Sequence, residues 1–121
     1  MRDRLAGFEF EQREGVLIAA VEGEIDSSIA PELRLALADR LPSASSALVL
    51  DLSRVTYLDS AGIQLLFDLG RRLAARRQAM RLVVPDQTPM RRVLDLCAVT
   101  HVAPMDPDLE SALAGLEGAP A

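Results

Sequence analysis

The residues of this sequence that could carry chemistry are few, and the most distinctive group is Asp59-Ser60-Ala61-Gly62. The group follows a short apolar stretch and precedes a long pattern of helical period, so it should lie where a strand ends and a helix begins. A carboxylate there accepts hydrogen bonds from the first N–H groups of the helix, which predicts that Asp59 is the N-cap. Ser60 falls on the polar side of the first turn, as does Gln64, so we expect its hydroxyl to be exposed.

Three interpretations of Ser60 are open from these residues. Capping chemistry alone explains an Asp-Ser pair at a helix start. A serine nucleophile would need a general base, but the only histidine, His101, lies far along the chain in a predicted strand, and the G-x-S-x-G spacing of a nucleophile elbow is absent. The third interpretation is a phosphorylation site, since a phosphate would add roughly two negative charges beside Asp59 and repel a docked partner without melting the helix.

Gly62 is a further signal in the same run. A glycine inside a helix costs about 1 kcal/mol relative to alanine. Its presence in the first turn therefore suggests that another group approaches closely there. Tyr57 and Leu58, just before the run, could belong to the core or could offer apolar contact area next to Ser60, and we expect Leu58 to belong to the core.

The composition restricts the classes of protein to which the chain could belong. Its 121 residues suffice for one domain, and 50% are hydrophobic, so the chain can bury a core. Aromatic residues make up only 3% and the net charge is −5, which argues against base stacking and against nucleic acid as a direct partner. No apolar run approaches the roughly 18 residues of a membrane span. The N-terminal residues lack a signal-peptide pattern, so a cytoplasmic protein is expected.

Cysteine, histidine and arginine usage adds three expectations. One cysteine, Cys97, and one histidine argue against a disulfide framework and a zinc site, and no metal or cofactor is expected. Cys97 is expected to be a small core residue. All 13 basic residues are arginine, and seven of them lie between residues 71 and 92. This arginine stripe is either a solvated helix face or a contact for acidic residues of a partner.

The elements that must position these residues follow from the hydrophobic periodicity. The predicted elements are, in chain order, a hairpin of strands around 8–10 and 16–21, a helix from about 27 to 41, a strand at 47–52, a turn at 53–56, a helix from 60 to about 78, a strand at 80–84, a short helix from 88, a strand at 102–105 and a final helix capped by Asp106. The order β-β-α-β-α-β-α-β-α predicts an α/β fold, with a mixed, mostly parallel sheet of about five strands packed against about four helices.

In such sheets, functional residues cluster where strands end and helices begin. Three junctions meet this description, at residues 23–28, 57–62 and 85–89. At the first of them, Asp26 could simply cap the helix that follows, or it could contact a partner, and the two roles are compatible.

Taken together, these segments resemble the STAS (sulphate transporter and anti-sigma factor antagonist) family, and within it the single-domain anti-anti-sigma factors. The resemblance rests on GEID at 23–26, LVLDLSRVTYLDSAGIQLL at 48–66, MRLVV at 80–84 and PMRRVLDLCAVTHV at 89–102. It covers nearly the whole chain and implies a single STAS domain over 1–121, with 116–121 expected as a frayed tail.

The resemblance also implies a function and a set of site residues. The family is non-enzymatic, and the residue matching Ser60 is phosphorylated by a partner that is both anti-sigma factor and serine kinase, while a serine phosphatase reverses the modification. Many relatives carry Ser or Thr in place of Ala61, so Ser60 is the sole acceptor in this turn. The implied partner-binding residues are Glu24, Asp26, Asp59, Ser60, Ala61, Gly62 and Gln64.

The same domain also occurs in other assemblies. The alternative function is therefore a STAS scaffold subunit of a lipid-transport ATPase or a stress-signalling complex, with no phosphate cycle. The expected oligomeric state is a monomer or a weak dimer.

Overall fold

The computed structural model describes the backbone at residues 2–5, 7–41 and 45–117, and side chains from residue 7 onward within these ranges. Within these ranges, six strands and four helices follow one another, with a short 3₁₀ helix at Val99–His101. The strands are β1 Arg2–Leu5, β2 Phe8–Arg13, β3 Val16–Ile25, β4 Ala47–Leu58, β5 Ala79–Val83 and β6 Met105–Asp106. The helices are α1 Ala30–Arg40, α2 Ser60–Ala75, α3 Pro89–Leu96 and α4 Leu109–Glu117.

The strands form one mixed sheet in the order β1-β2-β3-β4-β5-β6. The pairs β1–β2 and β2–β3 are antiparallel, and the remaining three pairs are parallel. This confirms the predicted α/β class with four helices. The sheet has one strand more than predicted, because the segment Arg2–Leu5 pairs with β2 although it lacks an apolar alternation that would mark it as a strand.

The core lies on both faces of this sheet, as the alternation of strand side chains requires. Large buried leucines from β4, α1 and α2, such as Leu50, Leu33 and Leu66, form the main cluster on one face. A smaller cluster on the other face joins Ile18, Val49 and other strand residues to Ala112 of α4. Helices therefore pack on both faces of the sheet, and the ends of its strands lie at the surface.

The strand β4 is twice as long as the sequence pattern suggests. Residues 53–56, predicted as a turn, continue the strand, which ends only at Leu58. The reason is the neighbouring strand β3, which runs alongside in parallel as far as the pair Ile25↔Leu58, with register irregularities on the way. Exposed Ser53 and Arg54 gave this stretch the polar appearance of a turn.

Several C-terminal predictions are wrong in detail. The helix α2 ends at Ala75 instead of about 78. His101 lies in the 3₁₀ helix and not in a strand, and the last strand is Met105–Asp106 instead of 102–105. Cys97 is exposed instead of buried, because Leu94 and Val99 fill the core at this point.

The start of the last helix also differs from the prediction. The Asp106 carboxylate does not cap it; it accepts hydrogen bonds from Arg81 Nε and Nη2 at 2.8 and 3.0 Å. The backbone N–H of Ser111 instead donates to Asp108 Oδ1 at 2.7 Å. Residues 116 and 117 belong to α4, and the remainder of the expected frayed tail, 118–121, lies outside the described residues.

Candidate functional site

The turn between β4 and α2 is organised by the Asp59 side chain. Its Oδ1 accepts hydrogen bonds from the backbone N–H groups of Ala61 at 2.9 Å and Gly62 at 3.1 Å. Asp59 has extended backbone dihedrals, as an N-cap residue should. The predicted capping role of Asp59 is therefore confirmed, and Ser60 is the first residue of the helix.

Ser60 is exposed, as predicted from its place on the polar arc of α2. The residue stands at the positive end of a 16-residue helix, where the first N–H groups have no partners within the helix. An anion attached at this position would meet N–H dipoles that favour it.

A second loop lies beside this turn because β3 and β4 end together. Glu24 pairs with Tyr57 in the strand register, Ile25 pairs with Leu58, and the Asp59 N–H donates to the Ile25 carbonyl at 3.3 Å. The segment around residues 24–26 is therefore placed next to Ser60 by parallel strand pairing.

The Asp26 side chain builds the turn that leads from β3 into α1. Its Oδ1 accepts from the Ser28 hydroxyl at 2.7 Å, from the Ser28 N–H at 3.0 Å and from the Ile29 N–H at 3.1 Å. The Ser28 hydroxyl, followed by these backbone N–H groups, lowers the pKa of Asp26 below its usual range, so the carboxylate is charged at neutral pH. Asp26 thus places a fixed negative charge on the loop next to Ser60.

Glu24 is exposed and follows an irregularity in the strand pairing at Gly23. Gly23 has a φ of +90°, a conformation that side-chain-bearing residues adopt only with strain. The glycine therefore permits the local change in direction that precedes Glu24, whose carboxylate lies near the end of β3, two residues before Asp26.

Packing inside the molecule explains why residue 62 is a glycine. It is buried, and a Cβ placed on it would lie 2.5 Å from Leu58 Cδ1 and 3.0 Å from the Ile25 carbonyl oxygen. The close approach predicted at Gly62 thus comes from the ends of β3 and β4, which pack under the first turn of α2. Ala61 beside it is partly buried against the main core.

Gln64 is exposed one turn beyond Ser60, and its Nε2 donates to Asp68 Oδ1 at 3.0 Å. Asp68 also accepts from Arg71 of α2 at 3.1 Å and from Arg34 of α1 at 3.2 Å. The Gln64 amide, followed by the two guanidinium groups, lowers the pKa of Asp68. The Gln64 side chain is therefore held on the surface by a network that joins α1 to α2.

His101 is poorly placed to act as a base for Ser60. It precedes Val102, whose side chain packs against Gly70 of α2. Gly70 lies ten residues after Ser60, which corresponds to about 15 Å along the helix axis. This separation argues against a serine–histidine pair.

The arginine stripe is partly occupied by the chain's own carboxylates. Arg71 pairs with Asp68, Arg81 pairs with Asp106, and Arg91 pairs with Asp86 at 3.1 Å. These three arginines therefore already have acidic partners within the chain. Within the described residues, no group of three or more His, Cys, Asp or Glu side chains could hold a metal ion.

The sequence left open whether Tyr57 offers apolar contact area next to the Ser60 turn, and the structure shows an apolar surface there that also includes a residue of α3. Tyr57 is 53% exposed and Val93 of α3 is 42% exposed. Leu58 is only partly buried, where a core position was expected. The length of β4 was the missing signal, because a turn at 53–56 would have taken Tyr57 away from α3. No helix in the described parts of the chain is long and apolar enough to cross a membrane.

Comparison with known proteins agrees with this fold. The STAS domain family matches residues 7–112, and the chain belongs to that family. It is 30% identical over 105 residues to the anti-sigma-F factor antagonist RsfB of Mycobacterium tuberculosis, covering 86% of this chain and 84% of the relative. It is 27% identical over 111 residues to an anti-sigma F factor antagonist of Paenibacillus polymyxa, covering 90% and 93%.

A solved structure of similar length gives the same result. An anti-sigma factor antagonist from Mycobacterium paratuberculosis superposes with a TM-score of 0.80 and 30% sequence identity, covering 91% of this chain and 92% of that one. The family match over residues 7–112 includes both loops that form the candidate site.

Proposed function

We propose that this protein is a cytoplasmic, non-enzymatic anti-sigma factor antagonist. In its unphosphorylated form it binds an anti-sigma factor that is also a serine kinase, and a sigma factor is thereby freed. Phosphorylation of Ser60 by that same partner ends the complex, and a serine phosphatase restores the free hydroxyl. The observation that carries the proposal is the exposed Ser60 at the capped start of α2, next to the charged loop of Asp26.

The phosphoryl transfer requires nothing of this chain except an accessible hydroxyl. The Ser60 Oγ attacks the γ-phosphorus of ATP held by the kinase, the new O–P bond forms, and the bond to ADP breaks. The hydroxyl proton passes to a base of the kinase. Ser60 is the acceptor, and Asp59 holds the turn in which it is presented.

The consequence of the modification is electrostatic. A phosphate on Ser60 places roughly two negative charges beside the carboxylates of Asp59, Asp26 and Glu24. A partner surface shaped to fit the neutral hydroxyl then meets both an added charge and its desolvation. Because the helix start favours an anion, the fold itself does not need to change.

The other residues of the proposed contact surface surround Ser60. Glu24 contributes charge from the end of β3 and Asp26 from the β3–α1 loop, and Gln64 contributes its polar surface one turn along α2. Ala61 and Gly62 keep the first turn low and well packed. We expect one STAS domain per molecule, acting as a monomer or a weak dimer.

The experiment compares Ser60→Ala and Ser60→Asp with the wild type. Each is mixed with the serine-kinase anti-sigma factors encoded in the same genome, purified one by one, and affinity is measured by calorimetry with Mg²⁺ and a non-hydrolysable ATP analogue. We expect Ser60→Ala to bind and Ser60→Asp to bind more weakly by well over 1 kcal/mol, in the range of about 2–5 kcal/mol expected for an uncompensated buried charge. With ATP, mass spectrometry should locate phosphate on Ser60.

Ser53→Ala is the matched control, because Ser53 is an exposed serine of the preceding strand. It should bind and become phosphorylated like the wild type. Equal affinity of Ser60→Ala and Ser60→Asp would remove Ser60 from the mechanism. Binding to a transport ATPase, with none of the kinases bound, would favour a scaffold role instead.

A further inference from the structure

An apolar groove opens at the edge of the sheet close to the Ser60 turn. The strand β5 ends at Val83, opposite Asp51 of β4, while β4 continues to Leu58. The last part of β4 thus has β3 on one side and the helix α3 on the other. Between that free edge and α3 lies a cavity of about 190 Å³, lined by Thr56, Tyr57, Leu58, Pro89, Met90 and Val93.

The groove collects apolar side chains that the fold leaves uncovered. Tyr57 is 53% exposed and Val93 is 42% exposed, and Met90 is only partly buried. Single exposed apolar residues are ordinary on protein surfaces. Here, however, residues from two elements converge on one concavity, which is the arrangement of a pocket for an anchoring side chain.

The groove lies next to the first turn of α2, with the Leu58 side chain between them. Leu58 lines the groove, and its Cδ1 lies 2.5 Å from the point where a Cβ on Gly62 would be placed. One side chain therefore separates the groove from the turn that presents Ser60. A protein docked over Ser60 would reach the groove without spanning any intervening element.

We propose that this groove receives one large apolar side chain of the same kinase partner that engages Ser60, an inference that rests on the proposed function. Its volume is below the roughly 300 Å³ at which pockets begin to hold drug-sized ligands, which favours a protein side chain over a free small molecule. The partner thus makes two contacts, a polar one that phosphorylation disrupts and an apolar one that carries no charge.

The two contacts have different kinetic consequences. An apolar anchor holds the partner equally before and during phosphoryl transfer, so it contributes uniform binding. Its loss raises the KM for this protein as a kinase substrate and leaves kcat unchanged. Loss of the Ser60 hydroxyl, in contrast, abolishes the reaction.

The test is Val93→Ser, with Leu96→Ser as the matched control. Leu96 lies on the same helix and is 80% exposed, but it does not line the groove. The probes are the purified serine-kinase anti-sigma factors of the same genome with Mg²⁺ and ATP. We expect Val93→Ser to weaken the complex and to raise KM, each about tenfold, a typical loss for one anchoring contact. Tyr57→Thr should act in the same direction, and Leu96→Ser should match the wild type.

Each outcome decides between the two proposals. If Ser60→Asp weakens binding but Val93→Ser and Tyr57→Thr do not, the groove assignment is wrong and the proposed function stands. Equal losses in Val93→Ser and Leu96→Ser would also overturn the groove, because the effect would then follow general surface hydrophobicity. If no kinase binds the wild type, the proposed function fails, and the partner assigned to the groove fails with it.

Discussion

At the scale of single residues, neighbouring residues of the site have different structural roles. Asp59 supplies the acceptor that organises the turn, Ser60 supplies the exposed hydroxyl, and Gly62 supplies the space into which Leu58 and the Ile25 carbonyl pack. Of Asp59, Ser60 and Gly62, only Ser60 is not needed to hold the turn together. Its side chain can therefore be modified while the neighbours keep the turn in place.

The capping role of Asp59 can be separated from its charge. Asp59→Ala removes the acceptor for two backbone N–H groups and should lower the free energy of unfolding by about 1 kcal/mol. Asp59→Asn keeps a carbonyl oxygen in the same place. It should lower the free energy of unfolding by at most about 0.3 kcal/mol, since Asn is as good an N-cap as Asp. Urea denaturation monitored by circular dichroism measures both. Equal losses in the two variants would mean that charge, and not the hydrogen bonds, stabilises the turn.

At the scale of elements, the decisive feature is the length of β4. Local pattern was sufficient for the buried half of this strand, because its apolar run has no other plausible location than the centre of a sheet. The outer half carries exposed Ser53, Arg54 and Thr56, and its extended form depends on pairing with β3, which is distant in sequence. Pairing of this kind leaves no local signal, so the sequence could not predict the groove beside α3.

Capping residues show the same contrast between local and distant determinants. The sequence correctly predicts helix starts at Asp59 and Thr88, because the hydrogen-bond partners of these two side chains lie within three residues. Asp106 was misassigned because its partner, Arg81, is 25 residues away. Ser60 and its exposure were predictable from helical periodicity, whereas the packing reason for Gly62 required the positions of two strands.

The link between α1 and α2 should make stability depend on pH. The pKa of Asp68 lies below its usual value near 3.8 because Gln64, Arg71 and Arg34 favour the charged form. A lowered folded-state pKa stabilises the fold above the unfolded pKa, and this contribution is lost as the pH falls through the lower, folded value. The wild type should therefore lose more stability than Asp68→Asn between pH 5 and about pH 2.5.

The measurement is the urea midpoint of both proteins across that pH range. At pH 7, Asp68→Asn should be less stable by about 0.2–1 kcal/mol, the range expected for solvent-exposed ion pairs. The other carboxylates are common to both proteins, so their titration cancels in the difference. Parallel pH profiles would show that the Asp68 network does not contribute to folding.

At the scale of the whole molecule, the proposed modification of Ser60 changes the charge of the surface and leaves the fold as it is. The core occupies both faces of the sheet, whereas Ser60, Asp26 and Glu24 lie at one end of it, outside the two buried clusters. A modification there alters the surface potential of a protein whose net charge is already −5. Nothing in the packing of β5, β6 or α4 needs to respond.

This idea predicts that Ser60→Asp releases the partner and leaves the fold intact. An anion in the first turn of α2 gains about 0.3–1 kcal/mol from the helix dipole, and repulsion from neighbouring Asp59 opposes that gain. The free energy of unfolding should therefore stay within about 1 kcal/mol of the wild type. Amide chemical-shift changes should be confined to residues 24–29 and 57–64, the two loops and the first turn.

Shifts that spread into β5 or α4, or a large loss of stability, would mean that the partner is released by a structural rearrangement and not by surface charge. Repeating the denaturation at high salt separates electrostatic effects from packing effects, because screening weakens both the dipole interaction and the repulsion while packing is unaffected.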